Sequence, residues 1–258
     1  RPGRAYPRRH AGSHFFVDGS SEKSRIVTFL IKSIADEPSL TNIYIVTLKE
    51  PLRQQLEYGL EQMGLHFPVP VQQKLVHYIQ LIARWNKTFN LTAIRDVEEM
   101  VSKHLLDSLA VQPYVEGDKI LDVGSGAGLP GIPFAITSPD KKFTLIDSNG
   151  KKTRFLMQAK IDLKLENVEV VNSRVEDYQP TEDGHRIYFD VITARAYAST
   201  DDILSSTAHL QDASTTILVM QGKLDEQFDR DNYELIETHR LDVYGLDADR
   251  HLLEIRKK

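Results

Sequence analysis

The sequence contains no cysteine, and this absence excludes three kinds of protein at once. A disulfide scaffold, a zinc–cysteine cluster and an iron–sulfur cluster all require that residue. Long hydrophobic runs are missing too. The longest near the N-terminus, residues 26–31, is interrupted by Thr28, is followed by Lys32, and is too short to cross a bilayer. No small-residue cleavage site follows it, so we expect a cytoplasmic protein.

An excess of positive charge is also missing. The 258 residues have a net charge of −5; residues 1–50 carry +3 and the remainder carries −8. A nucleic-acid partner would therefore have to be bound by a local basic patch rather than by the field of the whole chain. The hydrophobic content of 41% and the length are typical of one α/β domain with an accessory segment.

A glycine-rich turn follows a short apolar stretch near the middle of the chain. Residues 120–123 predict a buried strand, and three glycines at alternate positions, 124, 126 and 128, lead to Pro130 at the start of a helix. Glycine permits positive φ and close approach of the backbone to a ligand, and the helix directs free N–H groups at the same loop. Asp122 and the G-x-G-x-G spacing differ from a dinucleotide fingerprint and resemble the first motif of class I S-adenosylmethionine (SAM) methyltransferases. NAD binding and a turn that serves packing alone are the alternatives.

The pattern divides the chain into three parts. Residues 1–50 form an extension without an assigned role, either disordered or non-native; residues 51–115 form a helical cap; and residues 116–258 form the SAM-dependent methyltransferase domain. In the cap, apolar spacing predicts helices over 51–64, 71–85 and 96–109, the last capped by Asp96 and Glu99.

Beyond the cap, strands alternate with helices, which predicts parallel strands joined by helical crossovers. The strands are expected over 119–123, 143–147, 168–171, 188–193 and 215–220, and the helices over 130–137, 150–163 and 200–210. Two last strands, near 233–243 and 250–256, would add an antiparallel hairpin. The expected fold is an α/β, Rossmann-like, seven-stranded and mostly parallel sheet.

The ends of the predicted parallel strands carry the candidate site residues, because ligands bind outside the carboxyl ends of such strands. Asp147 ends the second strand, where a carboxylate can hold two ribose hydroxyls. Val175 and Glu176 follow the third strand and can supply an apolar wall and a backbone N–H to an adenine ring. Arg174 beside them is interpreted as a surface charge or an RNA contact.

Arg195 stands alone at the end of the fourth strand. The Asn/Asp-Pro-Pro-aromatic motif that orients an exocyclic base amine is missing there. A guanidinium at this point suits an electron-rich acceptor or a phosphate. The alternative is that Arg195 pairs with Asp122 or Glu176 and only organises the pocket.

Further cations are predicted at the rim of this site. Lys151, Lys152 and Arg154 lie in the first turn of a predicted helix, where the helix dipole makes positive charge unfavourable. Phosphate contacts and a solvated charge cluster explain this placement equally well. Lys223 follows the fifth strand as a similar cation. His104, one turn before Asp107, fits an acid/base pair, an RNA contact or, as spacing favours, a core histidine. A second histidine at ligand spacing is missing, so no metal site is expected.

Several motifs in order resemble the bacterial small-subunit rRNA methyltransferase G family (glucose-inhibited division protein B). They are W-N-K and N-L-T within residues 85–92, H-L-L-D-S-L at 104–109, D-V-G-S-G-A-G-L-P-G-I-P at 122–133, D-S with K-K within 147–152, S-R-V-E at 173–176 and R-A-Y-A at 195–198. The resemblance covers the chain from about Leu52 to its end; residues 1–50 have no counterpart.

The resemblance implies transfer of a methyl group from SAM to N7 of a guanine in the 530 loop of 16S rRNA, nucleotide 527 in standard rRNA numbering. It implies SAM contacts at Gly124, Leu129, Val175, Glu176 and Arg195, to which we add Gly126 and Asp147. We expect RNA contacts at Lys151, Lys152, Arg154, Arg174, Lys223 and His104. The partner would be 16S rRNA or the small subunit, and the protein a monomer.

Guanine N7 carries a free lone pair, so no general base is expected and Arg195 would act by positioning. The missing cysteine also removes the usual route to C5 methylation of pyrimidines. Two alternatives stay open. One is a SAM enzyme for a ribose 2′-hydroxyl, with Lys223 as base, or for a small molecule. The other is a ribosome-assembly factor that binds SAM and RNA without catalysis.

Overall fold

The structure, a computed structural model, describes residues 38–196, 199–222 and 228–258, with side chains from Glu50 onward. The predicted extension up to residue 37 and the candidate Lys223 lie outside the described residues. The site and its surroundings belong to one compact unit, Lys49–Lys258.

Short runs of apolar residues form the strands of the central sheet. The strands of the described chain are β1 (Lys119–Val123), β2 (Lys142–Ile146), β3 (Val168–Val171), β4 (Thr181–Glu182), β5 (His185–Arg186), β6 (Val191–Arg195), β7 (Thr216–Gln221), β8 (Tyr233–Arg240) and β9 (His251–Lys257). Seven of them pair in the order β3-β2-β1-β6-β7-β9-β8. The pairings from β3 to β7 are parallel, and β9 is antiparallel to both neighbours. The seven-stranded, mostly parallel sheet with a closing antiparallel hairpin is thus confirmed.

The central strands β1, β2, β6 and β7 are mostly buried, as parallel strands are when helices cover both faces of the sheet. The α-helices of the described chain are α1 (Pro38–Gln62), α2 (Val69–Phe89), α3 (Val97–Met100), α4 (Asp107–Leu109), α5 (Gly131–Thr137), α6 (Gly150–Asp162) and α7 (Thr200–Ser206), and short 3-10 helices span Gln112–Tyr114, Val175–Asp177 and Ala208–Leu210. One apolar core joins the cap helices, α5 and α6 to one face of the sheet, and a second core packs α7 on the other face. The cap therefore shares its core with the face that carries the glycine turn.

Three predicted helix features of the cap are wrong. The first helix does not begin at Pro51, because the chain is helical from Pro38 and takes Pro51 into its interior. Asp96 caps the third helix by accepting from the N–H of Glu98, but Glu99 does not complete the box, since its carboxylate pairs with Lys103 at 2.7 Å. A π-helical segment, Val101–Leu106, separates α3 from α4. Such segments redirect side chains and occur often at functional sites.

The fourth parallel strand also differs from its prediction. It begins at Val191 rather than at residue 188, because the side chain of Asp190 accepts hydrogen bonds from the N–H groups of Asp118 and Lys119 and ends the preceding loop. The short β4–β5 hairpin was not predicted, since only two residues of each strand pair. Both differences lie away from the carboxyl ends of the strands, where the site is built.

Candidate active site

The glycine turn between β1 and α5 adopts the backbone conformation that its composition predicts. Gly124, Gly126 and Gly128 have φ of 65°, 60° and 86°, in the left-handed region where side chains are disfavoured. The N–H of Gly126 donates to Oδ2 of Asp147 at 2.9 Å, and Oδ1 of the same carboxylate accepts from Asn149 at 2.8 Å. The acid at the end of β2 therefore fixes the turn that follows β1.

A tyrosine of the cap holds the turn from behind. The fully buried Tyr78 of α2 donates its hydroxyl to the carbonyl of Ala127 at 2.5 Å and lies 3.1 Å from that of Gly128. Burial raises the pKa of Tyr78 well above its ordinary value, so the phenol keeps the proton it donates. The helical spacing predicts that Tyr78 faces the core, but it does not reveal this contact.

Asp122, the acid before the first glycine, is buried behind the turn. Its Oδ2 accepts from the N–H of Gly131 at 3.1 Å, while Oδ1 has no hydrogen-bond partner in the described chain. Burial raises the pKa of Asp122 from 3.8 to about 7. A Cβ on Gly131 would lie 2.6 Å from the carboxylate, so glycine is required for the helix to approach β1 this closely.

A cleft of about 720 Å³ opens at the carboxyl ends of β1, β2 and β3. Of the predicted cofactor residues it is lined by Gly124, Asp147, Val175 and Glu176. Leu129 is buried in the core, with its N–H bonded to Ser125, and Gly126 contributes through its bond to Asp147 rather than as a lining residue. The rim cations Lys152 and Arg174 also line the cleft.

The residues of this cleft fit SAM. The volume lies within the usual range for small-molecule sites. The glycine turn leaves no Cβ in the way of a ligand, the Asp147 carboxylate suits ribose hydroxyls, and Val175 offers an apolar wall. Gly124, Asp147, Val175 and Glu176 would hold the molecule, which supplies an electrophilic methyl group when bound.

A second cavity, of about 950 Å³, adjoins the cleft and is called here the acceptor cavity. The two spaces share Ala196, the residue after β6, whose φ of 56° is unusual for a residue with a side chain. The cavity is walled by the π-helical segment, by the end of β7 and by the loop before β9. Arg195 lines this acceptor cavity and is not part of the lining of the cofactor cleft.

Two arginines meet one carboxylate inside the acceptor cavity. Nη1 of Arg195 donates to Oδ2 of Asp107 at 2.8 Å, and Nε of Arg250 donates to Oδ1 of the same residue at 2.9 Å. The predicted alternative that Arg195 pairs with Asp122 or Glu176 is wrong, because the cap brings a closer acid to the strand end. Arg250 was missed, since a lone arginine before a strand gives no local signal.

His104 is held in a polar network of the cap. The side chain of Asn86 bonds the backbone of Thr92 and Ile94, and the Thr92 hydroxyl lies 3.0 Å from Nε2 of His104. Nδ1 lies 2.9 Å from the carbonyl of Lys103, so Nδ1 carries the proton and Nε2 accepts. Burial, reinforced by Arg195, lowers the pKa of His104 from 6.5 to about 4. The geometry matches a neutral core histidine and leaves no free ring nitrogen for RNA or for acid/base work with Asp107.

Comparison with known proteins identifies the family. The family described as rRNA small subunit methyltransferase G matches residues 71–253. A ribosomal RNA small subunit methyltransferase G of Coxiella burnetii (strain Dugway 5J108-111) is 45% identical over 205 residues, which are 80% of this chain and 98% of the relative. Another, of Ectopseudomonas mendocina (strain ymp), is 49% identical over 209 residues, 79% of this chain and 95% of the relative. The chain belongs to the rRNA small subunit methyltransferase G family.

A solved structure supports the fold. The mitomycin 7-O-methyltransferase MmcR is similar with a TM-score of 0.50 and 14% identity, over 62% of this chain and 56% of that one, a likeness that concerns the fold alone. The class I methyltransferase fold is confirmed, and SAM is the methyl donor of this family member. Family membership decides against the dehydrogenase alternative.

Of the basic residues predicted to contact RNA in this family member, Lys152 and Arg174 line the cofactor cleft, whereas Arg154 lines a separate groove beside Trp85 and Met157. Lys151, Arg154 and Arg174 are exposed, whereas Lys152 lies 3.6 Å from the Asp147 carboxylate. Asn149 caps α6 by accepting from the N–H of Lys151. Lys152 is therefore an ion partner of a site residue, whereas Lys151, Arg154 and Arg174 face solvent.

Proposed function

We propose that the protein transfers a methyl group from SAM to N7 of a guanine in 16S rRNA, at nucleotide 527 in standard numbering. The observation that carries the proposal is the meeting of two spaces at Ala196, a cleft that fits SAM and a cavity lined by two arginines. An acceptor in the second space can approach a methyl group in the first. Family membership supplies the class of RNA.

The chemistry of the acceptor cavity supports a nucleophile that needs no deprotonation. Asp107 is bonded to two guanidiniums, Glu99 is paired with Lys103, and His104 has both ring nitrogens engaged. The acid and base groups nearest Arg195 are therefore committed to other bonds. Guanine N7 has an available lone pair, so alignment of the base against the methyl group is the main requirement, and well-oriented reactants gain up to roughly 7–11 kcal/mol from it.

The roles of individual residues follow from their place. We assign the cofactor to Gly124, Gly126, Asp147, Val175 and Glu176, with Leu129 acting through the backbone of the turn. Arg195 faces the acceptor and positions it. We assign the exposed cations Lys151, Arg154 and Arg174 to the RNA surface, where phosphate contacts add affinity that depends on salt.

None of the helices that the structure describes is both long and apolar enough to span a bilayer. Cytoplasmic location and a monomeric state stay predictions. Cell fractionation and light scattering would test them.

The deciding experiment maps the methylated atom. The protein is incubated with tritium-labelled SAM and 16S rRNA that lacks the modification, and the labelled nucleotide is located by chemical cleavage at 7-methylguanine. We expect label at one guanine. Incorporation elsewhere would contradict the position, and no incorporation into naked rRNA or small subunits would favour the non-catalytic binder.

A substituted RNA separates N7 from the ribose. An RNA with 7-deazaguanosine at the mapped position lacks the attacking lone pair and should accept no methyl group. A matched RNA with 2′-deoxyguanosine at that position should still be methylated. The opposite pattern would establish the ribose 2′-hydroxyl as the acceptor.

A further inference from the structure

Arg250 reaches the acceptor cavity from a distant part of the chain. It is the last residue before β9 and follows the loop that joins the two antiparallel strands. Its guanidinium crosses to the cap and bonds Asp107, 143 residues away in sequence. The loop that joins the antiparallel strands is therefore part of the cavity wall, and its Arg250 contacts the same carboxylate as Arg195.

The donors of both arginines are only partly used. Arg250 gives Nε to Asp107 and Nη1 to the carbonyl of Asp249, and Nη2 makes no hydrogen bond to a described residue. Arg195 gives Nη1 to Asp107 and, at 3.4 Å, to the carbonyl of Lys103, and leaves Nε and Nη2 without a described partner. The Arg250 side chain is 28% exposed and is one of the residues that line the acceptor cavity.

The charges of this group favour an anion. Two guanidiniums share one buried carboxylate, so the three side chains together carry one net positive charge; the cavity lining also includes the Glu99–Lys103 ion pair and Asp247. A guanine gains positive charge as its N7 takes the methyl group, so a second cation on the ring, in addition to Arg195, would oppose that step. A phosphate of the same RNA strand keeps its negative charge throughout and matches the planar donor fork of arginine.

We propose that Arg250 binds a backbone phosphate next to the methylated guanine, and that Asp107 is a positioning residue that holds Arg250 and Arg195 at a fixed separation. This rests on the proposed function in taking RNA as the substrate and a guanine as the methylated base. Arg250 would bind the phosphate of the RNA strand while Arg195 contacts the base, so each arginine holds a different part of the substrate.

The test compares Arg250→Gln with Arg240→Gln. Arg240 lies in the same hairpin and loses the same charge, but it is 74% exposed, has only ion-pair distances of 3.8 and 3.9 Å, and does not line the acceptor cavity. Binding of an rRNA fragment is measured against salt with S-adenosylhomocysteine present. For Arg250→Gln the log–log salt slope should fall by about one, as for one lost phosphate contact. Arg240→Gln should keep the wild-type slope.

Kinetics and calorimetry complete the test. Arg250→Gln should raise KM for RNA about tenfold with a smaller change in kcat and with unchanged SAM affinity, and Arg250→Lys should recover the salt slope but only part of KM. Asp107→Asn should keep the salt slope while kcat falls about tenfold, a split that loss of folding does not produce. Thermal unfolding checks that each variant is folded at the assay temperature.

The proposal is overturned if Arg250→Gln and Arg240→Gln give the same slope and KM, or if Arg250→Gln weakens SAM binding as much as RNA binding. Failure of the proposed function is a separate result. If the wild-type protein binds RNA but transfers no methyl group to it, the enzyme assignment fails, and the salt slopes still decide whether Arg250 contacts phosphate.

Discussion

The cofactor cleft and the acceptor cavity lie side by side and differ in what shapes them. The floor of the cleft is backbone: a turn with three left-handed glycines, held by the carboxylate of Asp147 and the hydroxyl of Tyr78. The acceptor cavity is organised by a cluster of charged side chains set among apolar and small residues, with Asp107, Arg195 and Arg250 coming from three parts of the chain far apart in sequence. Backbone geometry suits a ligand of constant shape, whereas a cluster of charges suits a polyanion that must be bound and released.

The largest effect is expected in the cleft, from Gly128→Ala. A Cβ there would lie 2.5 Å from Ile132 and 2.9 Å from Leu156, at a φ of +86°. Overpacking typically costs about 1–3 kcal/mol, in addition to about 1–2 kcal/mol for the left-handed conformation. Gly184→Ala is the control, because Gly184 has a φ of +78° but nothing within 4 Å. Denaturant unfolding measures the difference, and equal losses in the two variants would show that the turn is not tightly packed.

The next effect belongs to the acceptor cavity. Asp107→Asn removes the buried charge between two arginines, and we expect a loss of about 2–4 kcal/mol, somewhat below a fully buried pair because both arginines are partly exposed. SAM affinity, measured by calorimetry, should change little, since Asp107 does not line the cofactor cleft. A large loss of SAM affinity would show that the two regions are one site.

The difference between the regions also explains what the sequence predicts. The glycine spacing, Asp147 and the end of β6 at Arg195 follow from local patterns, because the carboxyl ends of parallel strands converge. The partner of Arg195 could not be predicted in the same way. The neighbouring strands offer Asp122 and Glu176, but the acid that pairs with Arg195 is Asp107 of the cap. Arg250 lies 143 residues from Asp107 in sequence, and no local periodicity predicts a contact between residues so far apart. The π-helical segment likewise has no pattern that separates it from an ordinary helix turn.

The pH dependence of the unfolding free energy tests whether the histidine of the acceptor cavity, His104, is neutral. The pKa of His104 is lowered from 6.5 to about 4, so the folded protein binds this proton less readily than the unfolded chain. The stability it contributes is complete above pH 6.5 and is lost as the pH falls toward 4, by about 2 kcal/mol at pH 5.

The control for that effect is His104→Gln, which cannot titrate. The unfolding free energy of the wild type should fall more steeply between pH 6.5 and 4 than that of the variant, whatever their difference at pH 7. Parallel curves would contradict the buried neutral state of His104. Asp122 changes stability in the opposite direction: its pKa is raised to about 7, so its contribution is present below pH 3.8 and is lost as the pH rises through 7.

The smallest effect tests how the cap is tied to the cleft. Tyr78→Phe leaves the buried carbonyl of Ala127 without its donor and should cost about 1–2 kcal/mol of stability. Tyr233→Phe removes a similar hydroxyl, bonded to Leu204 and Gln211 away from the turn. If the Tyr78 hydroxyl sets the shape of the glycine turn, SAM affinity should fall in Tyr78→Phe and stay constant in Tyr233→Phe at comparable losses of stability. Equal SAM affinities would mean that Asp147 alone holds the turn, and that the cap contributes to the acceptor cavity but not to the cofactor cleft.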